Sequence, residues 1–90
     1  MDEQIVRFSR LKVRDFAAFS QVHERALAVQ SKLGIEEQVF QSRDDERDLT
    51  VMISGAASAV EQWMSSPERA ALAGELELES APESWTTKRV

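Results

Sequence analysis

Cysteine is missing from this sequence, and with it go the disulfide scaffold, the thiol nucleophile and the Cys-ligated zinc or iron-sulfur site. Histidine occurs once, too few for a two-histidine metal triad. Glycine and proline are sparse, and no Gly-rich phosphate loop or G-x-S-x-G elbow is present. Positive charge is short as well. Lys and Arg number 11 against 16 Asp and Glu, for a formal net charge of -5, and the longest basic run, Lys88-Arg89, is too short to track a phosphate backbone. A nucleic-acid partner is therefore not expected. No stretch approaches the ~20 apolar residues of a membrane helix, and the opening MDEQIVRF is acidic, without the apolar core of a signal peptide. A soluble cytoplasmic protein with no membrane partner is the expectation. The acidic run Asp44-Asp45-Glu46 lacks the spaced ligands and glycine of an EF-hand loop, so no residue calls for a metal or a cofactor.

What is present describes one small domain over residues 1–90, since 42% hydrophobic residues in 90 supply a single core. Residues 5–13, IVRFSRLKV, read as a strand with Val6 and Phe8 on one face and Ile5, Leu11 and Val13 on the other. Asp15 caps a helix whose apolar stripe is Phe16, Phe19, Val22, Ala26, Val29 and Leu33, with Arg25, Gln30 and Lys32 on its wet side and Gly34 as its stop. Residues 35–42 form a second strand and 43–48 a charged turn. Residues 49–54 form a central strand, with Leu49, Val51 and Ile53 opposite Met52. A second helix starts at Gly55 or at Ser58, where Ser58 and Glu61 make a capping box, and ends near Met64. Ser65, Pro67 and Glu68 restart a short helix that Gly74 closes. ELELE, 75–79, reads as an exposed arm, and ESWTTKRV after Pro82 as the last strand.

The order β-α-β-β-α-β is the split βαβ, ferredoxin-like arrangement: an α+β domain with an antiparallel four-stranded sheet and two helices on one face. One sheet face is then left bare and apolar, and a second copy is the simplest cover, so a homodimer is expected.

Three stretches carry a family likeness: VRDFAAF leading the first helix, VFQSRDDERDLTVMI as strand-turn-strand, and AVEQWMSSPERAAL with its aromatic-bearing helix and Ser-Pro-Glu. In these the chain resembles the dimeric α/β-barrel superfamily, which holds antibiotic-biosynthesis-monooxygenase-like proteins and small cyclase-like proteins. The resemblance implies a dimeric α/β barrel. It fixes no reaction, because the superfamily includes oxygenases, isomerases and haem-degrading enzymes. The chain departs from the pattern at Ala56, where an acidic helix cap is expected, and in a long GELELESAPE connection.

Five residues are candidates for a site. His23 is the one imidazole, the side-chain type suited to proton exchange near neutrality, and sits at the border of the first helix's stripe, where it is either a hydrogen-bonded boundary histidine or a proton acceptor facing a cavity. Phe19, one turn before it, Trp63, Phe8 and Trp85 are the candidate substrate-binding aromatics, Trp85 as a lining of the barrel between subunits, each also readable as packing. Of Arg7 and Arg10, on opposite faces of the first strand, one can reach the interior and meet an anionic substrate, while a solvated or ion-paired arginine is the commoner case. The resulting expectation is a small monooxygenase-like or cyclase-like protein that takes an apolar or aromatic molecule between sheet and helices. The alternative is a non-catalytic homodimeric binding or accessory protein. A polar-tipped cavity of ~300 Å³ or more enclosed by the dimer favours the first.

Overall fold

The computed structural model describes residues 2–90. Seven elements follow one another: β1 (Gln4–Lys12), α1 (Phe16–Lys32), β2 (Glu36–Gln41), β3 (Asp48–Ala56), α2 (Ala57–Met64), α3 (Pro67–Gly74) and β4 (Glu83–Lys88). The strands form one sheet in the order β2-β3-β1-β4 with every neighbouring pair antiparallel. This is the ferredoxin-like α+β arrangement expected, with the second helical region divided in two.

The register fixes which side chain faces where. Arg7 lies opposite Ile53, Ser9 opposite Val51 and Leu11 opposite Leu49, so the odd-numbered residues of β1 and β3 share one face. That face meets the helices, and Leu49, Val51 and Ile53 are buried in a core with Phe19, Val22, Val60 and Trp63. The even-numbered residues form the other face. There Phe8 stands between Met52 and Trp85 and stacks on Trp85 with ring centroids 5.5 Å apart. Trp85 and Phe40 remain 47% and 51% exposed.

Local chemistry sets the helix ends. Asp15 Oδ1 accepts from the Ala17 amide at 3.0 Å, the expected cap of α1. The backbone turns at Gly34 with φ 72, a conformation that glycine adopts without the steric cost of a Cβ. The start of α2 differs from the capping box expected of Ser58 and Glu61. Its N-cap, Ala56, offers no side chain, and the chain's own beginning supplies the acceptor instead: Asp2 Oδ2 receives the Ser58 amide at 3.2 Å and also the Ser58 hydroxyl. The missing local acid is thus replaced by one 56 residues away in sequence. At the restart the cap is Ser66 rather than Ser65. Ser66 Oγ accepts from the Arg69 amide at 3.1 Å with Pro67 in the first turn, while Ser65 Oγ turns back to the Glu61 carbonyl.

Residues 75–79 are not a free arm. Leu78 bridges Val13, the Arg14 amide donates to the Glu77 carbonyl at 3.0 Å and the Glu79 amide to the Lys12 carbonyl at 2.8 Å. Alternation then turns Leu76 and Leu78 onto the core, while Glu75 pairs with Arg25 and Glu79 with Arg47. The Arg25 hydrogen bond holds the Glu75 carboxyl below its usual range, yet the pair is solvent-exposed and adds little to stability.

Removing the borrowed cap tests this picture. Asp2→Ala is expected to lower stability by about 0.5–2 kcal/mol, the range for loss of an N-cap, in chemical denaturation followed by far-ultraviolet circular dichroism; an unchanged midpoint contradicts the capping role.

Candidate active site

Alternation along β2 places Ile35, Glu37 and Val39 on the helix side, because Glu37 lies opposite Ile53 and Val39 opposite Val51. Glu37 is thus a carboxylate in an inward row, and only 8% of its side chain is exposed. Such a group is costly to bury unless its oxygens are engaged. Both are: Oε2 pairs with Nδ1 of His23 and Oε1 accepts from Gln30 Nε2 at 2.9 Å.

Both partners come from one stripe of α1, where Phe19, His23, Ala26 and Gln30 follow at spacings of four, three and four and so share a helix face. Gln30 belongs to this buried side, with 0% exposure, and not to the wet side on which its polarity places it in a sequence reading. An ionised carboxylate only accepts, so the Gln30 amide must turn its NH2 toward Glu37. Its Oε1 is then left buried without a partner among the described residues. An unpartnered buried acceptor costs about 1–3 kcal/mol, and here it accompanies the positioning of a second carboxylate oxygen.

The same logic fixes the histidine. A Glu37 carboxylate accepts from Nδ1–H, and in the neutral ring Nε2 is then the nitrogen without a proton. The ring is stacked on Phe19, with centroids 5.9 Å apart and planes 6° from parallel, and its side chain keeps 21% exposure. Its orientation is held by the carboxylate on one side and the phenyl face on the other.

His23 and Glu37 stand in the wall of a cavity of about 180 Å³ between the sheet and the helices. Phe19, Trp63, Met64 and Leu72 supply apolar wall, and Ser9 and Arg69 add polar groups. Trp63 and Met64 both contribute, although neighbouring helix residues point about 100° apart; the cavity is wide enough to be walled from both directions. In the single chain its volume lies below the ~300 Å³ that favours an enzyme, so size alone does not separate an enzyme from a binding protein; it suits a ligand of about one ring.

Of the five candidate residues, the structure brings His23, Phe19 and Trp63 to this one cavity. Phe8 and Trp85 do not line it. The register puts both on the even-numbered, helix-free face, so any ligand between sheet and helices is screened from them by the sheet itself. Glu37 and Gln30 are the members that sequence reasoning missed. The signal for Glu37 is its parity, an acid between Ile35 and Val39 on the apolar side of a strand. Of the two arginines on β1, Arg10 is ion-paired with Asp48 at 3.0 Å, and Arg7 is the one that faces inward. Among the described residues no cluster of three His, Cys, Asp or Glu is placed to hold a metal ion, and no helix is long and apolar enough to cross a membrane.

No family model matches the chain, and no curated protein matches it either. Solved structures do. A Caulobacter crescentus protein provisionally designated an antibiotic biosynthesis monooxygenase superposes with a TM-score of 0.87 over 99% of this chain and 92% of that one, at 20% identity. SnoaB from Streptomyces nogalater, described as a cofactor-independent oxygenase, superposes with a TM-score of 0.82 over 98% and 94%, at 16% identity. Rv0793 from Mycobacterium tuberculosis gives 0.77 over 97% and 95%, at 15% identity. With near-complete coverage on both sides, the chain has the ferredoxin-like fold of the antibiotic-biosynthesis-monooxygenase-like proteins.

Proposed function

We propose that the protein is a small monooxygenase-like or cyclase-like enzyme acting on an apolar or aromatic molecule of about one ring, with His23 as the group that takes the substrate's proton. The observation that carries this reading is the histidine itself. A lone imidazole is fixed through Nδ1 to a carboxylate that is in turn held by a buried amide, and it stands in an otherwise mostly apolar wall. That is the arrangement of a general base and its orienting group. Phe19 and Trp63 hold the substrate ring. Proton removal from a phenol or an activated carbon leaves an electron-rich anion, the species from which attack on oxygen or on an internal carbonyl proceeds. The apolar wall restricts water around it.

A second copy of the chain is part of the same reading. Val6, Phe8, Phe40, Met52 and Trp85 share the helix-free sheet face, and a sheet-to-sheet homodimer buries them. The alternative, a dimer that binds the same molecules without turning them over, differs from the enzyme only at His23.

Oxygen uptake and product formation with a panel of phenols and hydroquinones test the chemistry. The protein is expected to accelerate at least one of them over buffer, with His23→Ala reducing kcat by about 100-fold or more, the usual contribution of a positioned base. Glu37→Gln is expected to reduce it less. Full turnover in His23→Ala removes the proposed base, and no turnover with tight binding favours the non-catalytic reading. For the dimer, light scattering on Phe8→Asp is expected to show the chain mass where the parent shows twice that mass; a monomeric parent contradicts the pairing.

A further inference from the structure

One row of the sheet's helix side runs Glu37, Ile53, Arg7, Thr86 across the four strands. Glu37 and His23 therefore stand on one side of Ile53 and Arg7 on the other, two inter-strand spacings or roughly 10 Å apart at the backbone. Arg7 is half-buried. Its Nε is sealed from solvent and has no hydrogen-bond partner among the described residues. From the helix layer, half-buried Arg69 of α3 lines the cavity. Burial, and after it the charge of Arg7, pull the Arg69 guanidinium below its ordinary range, so the two cations lie within reach of each other's field. Neither is ion-paired among the described residues, whereas Arg10, Arg25 and Arg47 each have a carboxylate.

In a chain with 16 acidic residues, a half-buried guanidinium without a carboxylate stands in the cavity wall, and a second lies on the same side of the sheet beside the wall residues Ile53 and Ser9, so positive charge there is unmet. Polar groups gather at this end: Ser9, in the cavity wall, meets Ser84 at 3.0 Å, and Thr86 is next in the row. The opposite end carries the His23–Glu37 pair, and apolar wall lies between.

We propose that Arg69 forms an anion subsite in the wall of this cavity, with Arg7 on the adjoining strand adding positive charge, and that its ligand is an aromatic carboxylic acid, held by its carboxylate at Arg69 with its ring toward His23. This rests on the cavity being a small-molecule site and adds the charged group that the molecule carries. Guanidinium is suited to the task, since its fork of donors matches a carboxylate and it stays charged when partly buried.

The probes are salicylate and its neutral amide, salicylamide. In W85F, Trp63 of the cavity wall is the sole tryptophan, and its fluorescence reports occupancy; calorimetry on the parent gives the affinities. Salicylate is expected to bind at least about tenfold more tightly than salicylamide, the scale of a hydrogen bond to a charged group. R69Q is expected to erase that preference by weakening salicylate far more than salicylamide, R69K to retain part of it, and R7Q, if it folds, to reduce it less than R69Q does. Equal affinities in the parent, or a preference that survives R69Q, overturn the anion subsite and leave the cavity reading in place. If neither compound alters Trp63 fluorescence or releases heat, the cavity reading falls and the subsite with it.

Discussion

The candidate site depends on how one carboxylate is accommodated. Glu37 is almost fully withdrawn from water, and a carboxylate there is tolerable only with both oxygens engaged. Meeting that demand joins α1 to β2 at two points, His23 and Gln30, and decides the chemistry of both. Gln30 must present its NH2 and leave its carbonyl oxygen unmet. His23 must present Nδ1–H and leave Nε2 free. Apolar residues at positions 30 and 37 would fill the same space without this polar cost.

The central strand β1 then divides the molecule's tasks by parity. Its odd-numbered residues face the helices, with Ile5, Leu11 and Val13 packed against or within the core, Ser9 in the cavity wall and Arg7 beside it on the same face. Its even-numbered residues turn Val6 and Phe8 to the bare face with Met52 and Trp85. A one-residue slip in register exchanges these sets. The same register that sets Glu37 and Arg7 in one row on the helix side therefore lays the apolar patch on the other face.

Most of the fold was legible because it rests on periodicity and punctuation. The stripe from Phe16 to Leu33, the Asp15 cap, the Gly34 turn and the two-faced strand at 49–54 each follow from local rules, and the structure holds all of them with small shifts of boundary. What was not legible depends on distant chain. Asp2 caps α2 from the far end of the sequence, and Leu78 bridges back to Val13, so neither the Ser58 box nor a free ELELE arm forms. His23 and Phe19 could be singled out from spacing, but the partner that gives His23 a role comes from another element. Glu37 hides within Glu36-Glu37, where adjacent acids look alike until the pairing of β2 on β3 separates an outward one from an inward one. Phe8 and Trp85 were grouped with the other aromatics because a strand's pattern does not say which of two apolar faces meets the helices.

The central claim is that His23 is held as an oriented base with Nε2 free. Because the chain has a single histidine, the ring nitrogens can be read directly by long-range ¹H–¹⁵N correlation on uniformly labelled protein at a pH where the ring is neutral. The account predicts the Nδ1–H tautomer, with Nε2 unprotonated, and its collapse toward a mixture of tautomers in Glu37→Gln. A ring that is predominantly Nε2–H in the parent, or that averages as a free imidazole does, contradicts it.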